Sequence, residues 1–290
     1  MGGSVLPSAS PTPPLLLVDG HNLLWGATFG FPAEIRSRDK TRLLTGLFGF
    51  FALLRVAIRE DLPEPPEVIV VFDGQYGGSD RQEIDPSYKA QRPTDAAALA
   101  PIQFLPNVKR GLDHCGITWT ELDHAEADDV IAALVHTTPP PRRILLMSRD
   151  RDYYQLVTDR VSVLNTKMRS GHRHIGPADV YARYQVTPAQ WADYRALTGD
   201  PADNIPGVRG IGAKTAATLL ADGLTLDDLD KSGRLDAGRG KVVREQFELA
   251  LKWREMIRLD RTIAVPVAPT GQVSPLLPRP ADVIEALDLW

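Results

Sequence analysis

The sequence predicts an α/β fold: a mostly parallel sheet flanked by helices, followed by a smaller all-helical part. Three observations carry this. Short apolar runs at residues 15–18, 68–72 and 144–147, with a fourth at 161–164, have the length and hydrophobicity of strands buried on both faces. Stretches of helical apolar spacing alternate with them, as the crossovers of a parallel sheet require. After Gly176-Pro177 the alternation stops and short helical segments take over. A chain of 290 residues with 43% hydrophobic content is long enough for one large α/β unit, or one with a smaller companion.

Taken in order, residues 1–14 are small residues and proline without a basic start, the composition of a disordered tail rather than a signal peptide. The first strand runs into Asp19-Gly20, and His21 and Asn22 begin a loop in which His21 suits a hydrogen bond better than a ligand role. Residues 40–60 carry Leu43, Leu44, Leu47, Phe48, Phe51 and Leu54 at helical spacing, the pattern of a helix packed on a sheet. Pro63, Pro65 and Pro66 break the chain before the second strand, which ends at Asp73-Gly74. Residues 74–106 are polar and flexible in composition and too long for an ordinary connection, so they form either a disordered excursion or a functional lid. Arg81, Lys89 and Arg92 in it are either solvated charges or groups that meet phosphate. A helix over 102–114 and a strand at 117–119 follow.

Then comes His124-Ala125-Glu126-Ala127-Asp128-Asp129, with apolar Val130, Ile131 and Leu134 behind it. If this opens a helix, Glu126 and Asp129 lie one turn apart on one face. Acids in a first turn suit the helix dipole, which accounts for one or two of them but less well for three. Asp19, Asp73, Asp150, Asp152, Asp200 and Asp203 also stand at strand ends or turns. In open α/β sheets ligands bind outside the carboxyl ends of strands. The pattern therefore favours a divalent-metal carboxylate site. The formal charge of −4 argues against a polyanionic partner only until these nine carboxylates are set aside, which turns it to +5. One cysteine, Cys115, excludes an internal disulfide and a thiolate metal site, and reads as core. No apolar run is long enough to span a membrane.

In the helical part, segments are expected near 177–184, 188–197 and 212–220. Asp200 and Asp203 lie in a turn ahead of Gly207-Val208-Arg209-Gly210-Ile211-Gly212-Ala213-Lys214-Thr215. Two short helices joined by this glycine-rich turn would offer bare amides to a backbone phosphate, with Lys214 and Thr215 adding contacts. The glycine spacing is neither a dinucleotide fingerprint nor a P-loop. Residues 239–258 read as one basic amphipathic helix, 263–267 as a strand, 268–280 as a linker and the last ten as a terminal helix.

Several motifs occur in one order: Asp19-Gly20-His21-Asn22, Val71-Phe72-Asp73, Tyr88-Lys89-Ala90 with Arg92, Glu126 to Asp129, and Asp150 with Asp152. Gln190 to Asn204 and the 207–216 hairpin complete the set. Together they resemble the 5'-3' exonuclease and flap endonuclease family, over about residues 15–267. The resemblance implies a PIN-like (5'-nuclease) α/β fold with a helical arch at about 76–105 and a helix-hairpin-helix DNA-binding subdomain. It implies a catalytic domain over 15–176, a C-terminal subdomain over 177–267, and a linker and terminal helix over 268–290. It further implies a divalent-metal-dependent, structure-specific 5' nuclease of replication and repair, using two or more Mg2+ or Mn2+ ions, with K+ at the hairpin. The metal set would be Asp19, Asp73, Glu126, Asp128, Asp129, Asp150, Asp152, Asp200 and Asp203. Lys89 and Arg92 would face the scissile phosphate. Tyr88, Gly207, Gly210, Ile211, Gly212, Lys214 and Thr215 would bind DNA, with His21, Asn22 and Arg81 as further candidates.

The implied partner is DNA with a 5' flap, nick, gap or 5' end, bound by a monomer in the cytoplasm, at the nucleoid when working, alongside replication or repair proteins. No membrane association is expected. No polymerase region follows the resemblance, so a free-standing form is expected. One departure stands out. Family members carry an aromatic-arginine pair shortly after the first aspartate, where this chain has Trp25-Gly26. Where a Phe-Arg pair is usual in the arch, it has Asp80-Arg81. Two other readings fit parts of the pattern: a PIN-type ribonuclease, which would lack the hairpin, and a non-catalytic structure-specific DNA-binding module, which would not need the full acid set.

Overall fold

The computed structural model describes residues 12–169 and 171–290. The tail expected over residues 1–14 lies outside the described residues as far as residue 11. Its last residues are tied down: the Pro14 carbonyl accepts from the Glu67 amide, and the Pro13 carbonyl from Arg142.

Six strands form one sheet in the order β3-β2-β1-β4-β5-β6. They are β1 (Leu15–Asp19), β2 (Glu67–Phe72), β3 (Thr118–Glu121), β4 (Ile144–Met147), β5 (Val161–Leu164) and β6 (His174–Ile175). The unbroken apolar runs are buried because helices cover both faces. One face packs α1 (Gly20–Gly30), α2 (Thr45–Val56), α4 (Leu105–His114) and the terminal α12 (Pro280–Ala286). The other packs α5 (Ala127–Thr137) and the helical part of the chain. That part comprises α6 (Pro177–Tyr184), α7 (Trp191–Thr198), α8 (Ala213–Leu219), α9 (Leu226–Leu229), α10 (Arg239–Glu245) and α11 (Phe247–Ile257). A short helix, α3 (Ser79–Ile84), precedes a run of turns. Among the described residues no helix is long and apolar enough to cross a membrane.

The structure corrects several expectations. The sheet is mixed rather than PIN-like: β1–β5 pair in parallel, but β6 runs antiparallel to β5, pairing Val163 with Ile175 and Leu164 with His174. The connection from Leu164 to His174 is too short for a crossover helix, so antiparallel pairing is the one open to it. Residues 76–105 are not a helical arch. Beyond α3 they run through turns to a 3-10 helix at Ala100–Phe104. No loop follows Asp19, because its side chain accepts from the Asn22 amide and caps α1 directly. The single basic helix over 239–258 is two, broken at Gln246 (φ −118°, ψ 20°). Residues 263–267 form no strand.

The expected linker is also pinned to the sheet. Glu67, at the start of β2, accepts from the Thr270 amide (2.6 Å), the Thr270 hydroxyl (2.8 Å) and the Gly271 amide (2.9 Å). Arg142, just before β4, donates to the same carboxylate at 2.5 Å. Both side chains are buried. Removing one member of such a pair strands the other charge in the interior. Glu67→Ala is therefore expected to lower unfolding free energy by about 3–5 kcal/mol in urea melts. A loss below about 1 kcal/mol would show that water reaches Arg142.

Candidate functional site

The sheet reverses its winding between β1 and β4: β2 and β3 lie to one side, β5 and β6 to the other. That switch point is where ligands bind in open α/β sheets. Asp19 ends β1 there. One of its oxygens accepts from the Asn22 amide (2.9 Å), the other from the Ser148 hydroxyl (3.1 Å) and the Tyr153 hydroxyl (3.2 Å). Asp73, after β2, accepts from the amide of Ala127 at the start of α5 (2.8 Å). Its own amide donates to His21 Nδ1 at 3.0 Å. His21 therefore receives a hydrogen bond on that nitrogen and is a neutral wall of the cleft. Burial lowers its pKa and outweighs the nearby Asp73, in keeping with that.

Helix α5 begins as the acid spacing predicts, with Glu126 at its N-cap and Asp128 and Asp129 in its first turn. Glu126 and Asp129 do share a face, and it is occupied by Arg81. The Arg81 guanidinium donates to Glu126 (2.6 Å) and, through two nitrogens, to Asp129 (2.7 and 2.8 Å). Arg81 also donates to the Met256 carbonyl at the end of α11. It is 8% exposed and bonded on every side, so it is not available to a phosphate. Asp129 also accepts from the Asp260 amide, which leaves it a structural anchor.

Asp19, Asp73, Glu126, Asp128 and Asp150 line one cleft of about 410 Å³ together with Lys89 and Arg92. Asp152, Asp200 and Asp203 converge beside it, with ligand atoms within 4.8 Å of one another, as do Glu126, Asp128 and Asp129. Asp150 links the two groups, accepting from the Asp152 amide at 2.9 Å. Asp200 is paired with Arg195.

Clusters of this composition suit a hard divalent cation. Their electrostatics fit one too. Burial raises Asp19 to about 7, with repulsion from Asp73 and Asp150 adding to it. Burial and neighbouring acids likewise hold Asp128 and Asp152 well above the usual carboxylate range. One oxygen of Asp152 is buried without any hydrogen-bond partner among the described residues, an acceptor for which the protein supplies no donor.

The turns after α3 fold down over this cleft. Lys89 pairs with Glu126 and lies 3.8 Å from Asp203. Arg92, more than half exposed, reaches Asp203 at 3.0 Å. Tyr88, expected at the DNA surface, is 2% exposed; its hydroxyl donates to Glu126 (2.9 Å), so it positions an acid and presents no ring for stacking.

The hairpin lies past the second acid group. Gly207 (φ +69°) packs against Gly199, where a Cβ would fall 2.3 Å from the Gly199 nitrogen. Ile211 is buried, an anchor rather than a contact surface. Gly210, Gly212 and Lys214 are exposed, Thr215 half-buried, and a Cβ at Gly212 would meet open space. Sequence reasoning missed Ser148, Tyr153 and Arg149, which hold or flank the acids. Their only signal was adjacency to strand ends. The basic stripe of 239–258 is divided: Lys252 pairs with Asp85 and the buried Arg254 with Asp193 and Asp227, while Arg239, Lys241, Arg244 and Arg258 are exposed.

Two family models match the chain: "5'-3' exonuclease, N-terminal resolvase-like domain" over residues 14–185, and "5'-3' exonuclease, C-terminal SAM fold" over 186–274. The chain is similar to the thermostable DNA polymerase I of Thermus thermophilus, 38% identical over 253 residues that cover 86% of this chain and 28% of that protein. It is also similar to DNA polymerase I of Mycobacterium tuberculosis, 34% identical over 283 residues, covering 95% and 30%. It thus spans less than a third of the length of these relatives.

Among solved structures it is similar to a phage T5 protein co-crystallised with metal ions (TM-score 0.64, 25% identical, 85% of this chain and 89% of that one). A bacteriophage T5 flap endonuclease in a pseudo-enzyme–product complex with DNA and metal ions is also similar (TM-score 0.66, 23% identical, 95% and 94%). The matches give a 5'-nuclease and flap-endonuclease α/β fold with a mixed sheet, and overturn the PIN-like expectation.

The raised carboxyls have a consequence for stability. Asp19 keeps its proton to about pH 7 when folded and loses it near 3.8 when unfolded. Between these values the native state binds more protons, so Asp19's contribution falls as pH rises through that window. A cation that replaces the proton reverses the loss. The rise in melting temperature on adding Mg2+ or Mn2+ to chelator-treated protein is expected to be larger at pH 8 than at pH 5.5. An equal rise at both would mean the cation does not bind these carboxylates.

Proposed function

Because this chain belongs to the 5'-3' exonuclease family, a class of divalent-metal-dependent, structure-specific 5' nucleases acting on DNA, we propose that the acid cleft at its β1–β4 switch point cuts one strand of a 5'-flapped, nicked or gapped duplex. The single observation that carries this is the pair of carboxylate groups joined through Asp150, with Lys89 and Arg92 folded over them. Asp19, Asp73, Glu126, Asp128 and Asp150 would hold one cation, and Asp150, Asp152 and Asp203 another. Asp129 and Asp200 belong to the same acid groups and also hold Arg81 and Arg195. Mg2+ or Mn2+ bound there would neutralise phosphate charge and provide a nucleophilic water at neutral pH.

The chain's own groups do the rest. Lys89 and Arg92 stand in the cleft on Glu126 and Asp203, and an entering phosphate competes with these carboxylates for their protons and charge. Their cationic groups then lie beside the oxygens that gain charge as the bond breaks. Tyr88 and Arg81 keep Glu126 in place, and Ser148 and Tyr153 keep Asp19. The exposed amides of Gly210 and Gly212, with Lys214 and Thr215, hold a backbone phosphate of the duplex without reading sequence. The work belongs to replication and repair.

The testing experiment compares a 5'-flap duplex with its 3'-flap counterpart. The 5' flap is expected to be cut with Mg2+ or Mn2+ and not in excess chelator. Equal cutting of both flaps, or cutting in chelator, would sink the reading. Lys89→Ala is expected to slow the single-turnover rate at saturating enzyme by about a hundredfold, the usual cost of one transition-state charge contact, while duplex affinity changes little. A normal saturated rate with a large loss of affinity would make Lys89 a binding group.

A further inference from the structure

The acid cleft shares Asn22, Trp25 and Arg149 with a second cavity, of about 420 Å³, on the other side of α1. The two differ in chemistry. No carboxylate lines the second cavity; apolar and aromatic side chains, with Phe29 60% exposed, share its walls with the neutral Asn22, Ser148 and Thr166, and its charges are Arg149 and Lys167. Arg149 is oriented by Asn22: its Nη2 donates to the Asn22 carbonyl (2.9 Å), and its Nε (3.3 Å) and backbone amide (3.1 Å) donate to Asn22 Oδ1. Among the described residues it makes no ion pair, although Asp19 lies close enough to be felt. Its place depends on Gly26. A Cβ there would fall 2.6 Å from Nη2 and 2.8 Å from Cζ, so the guanidinium fills the room that a side chain from α1 would need.

We propose that this cavity receives the nucleotide on the 5' side of the bond being cut, with the Arg149 guanidinium on its phosphate. Arg149 and Gly26 then act as one specificity device, the cation arriving from the β4 end because α1 leaves the space free. The inference rests on the function proposed above. The hairpin is anchored in the core on one face of the sheet, by Val208 and Ile211. The cavity is built against the core on the other face, by Leu23, Leu53 and Met147. A strand whose duplex lies on the hairpin and whose scissile phosphate lies over the acids reaches this cavity with the nucleotide beyond the cut. In a 5' nuclease that is the 5' side. A planar guanidinium with free donors matches a phosphate oxygen pair, and an aromatic wall suits a base. The phosphate is either the terminal monoester of a nick or an internal diester of a longer flap.

The test measures KM and kcat of the full chain on three matched substrates: a nick with a 5'-phosphate, the same nick with a 5'-hydroxyl, and a multi-nucleotide 5' flap. Loss of one charge-assisted phosphate contact is expected to raise KM about tenfold in Arg149→Ala. If the monoester is the ligand, only the phosphorylated nick suffers; if the diester is, the flap does. Either result supports the proposal, and restoring Arg on α1 in the double variant Gly26→Arg/Arg149→Ala is expected to recover most of the loss. Unchanged KM on all three substrates would overturn it. So would an equal fall in kcat on all three without recovery in the double variant, since that marks a purely structural arginine. If melting shows Arg149→Ala to be misfolded, Arg149→Gln, which keeps donors for Asn22 without the charge, gives the same readings. Wild-type protein that cuts none of the substrates overturns the proposed function and this inference together, and is distinguishable from a wild type that cuts while the variants match it.

Discussion

The constraint on which this structure turns is the repulsion among the carboxylates gathered at one end of the sheet. Asp19, Asp128, Asp152 and Asp203 all hold their protons more tightly than ordinary acids, burial acting first and neighbouring carboxylates adding to it on most of them. Such a group is tolerable only if each acid is anchored and the excess charge is partly answered. The anchoring comes from backbone amides at the starts of α1 and α5 and from the hydroxyls of Ser148 and Tyr153. The answering charge comes from Arg81, Lys89 and Arg92, all delivered by α3 and the turns after it, and from Arg195 on α7. Much of the tertiary structure outside the sheet can be read as the delivery of these cations.

The strands were legible because their burial on both faces leaves continuous apolar runs, and β4 and β5 begin and end where those runs do. β6 was not, because two residues carry no periodicity. The acids were legible by their position at strand ends. Which of them line the cleft was not: Asp129 looks no different in sequence from Asp128, yet Asp128 lines it and Asp129 is held by Arg81. The same long-range pairing explains Tyr88 and the stripe of 239–258. A tyrosine in a polar stretch suggests surface, and alternating cations suggest a binding face. Tyr88, Lys252 and Arg254 are instead satisfied from within, by partners on remote segments that no local pattern announces.

Charge also explains the placement of the two cavities. The acid cleft and its neighbour share three residues, yet one is lined with carboxylates and the other has none. The boundary is α1, whose N-terminus is capped by Asp19 and whose third residue is Asn22, bonded to Arg149. A polyanionic strand crossing that boundary passes from a region that needs cations to one that supplies them.

The turns carrying Lys89 are stitched to the loop ahead of the hairpin rather than to the sheet below. The Lys89 amide donates to the Asp203 carbonyl, the Gln91 side chain to the carbonyls of Pro201 and Ala202, and the Asn204 side chain to the Ser87 carbonyl. Cover and loop are therefore one hydrogen-bonded unit. Under the function proposed above, a duplex on the hairpin and the ammonium of Lys89 would be coupled through residues 200–204, and a single strand that never reached the hairpin would leave that coupling unused.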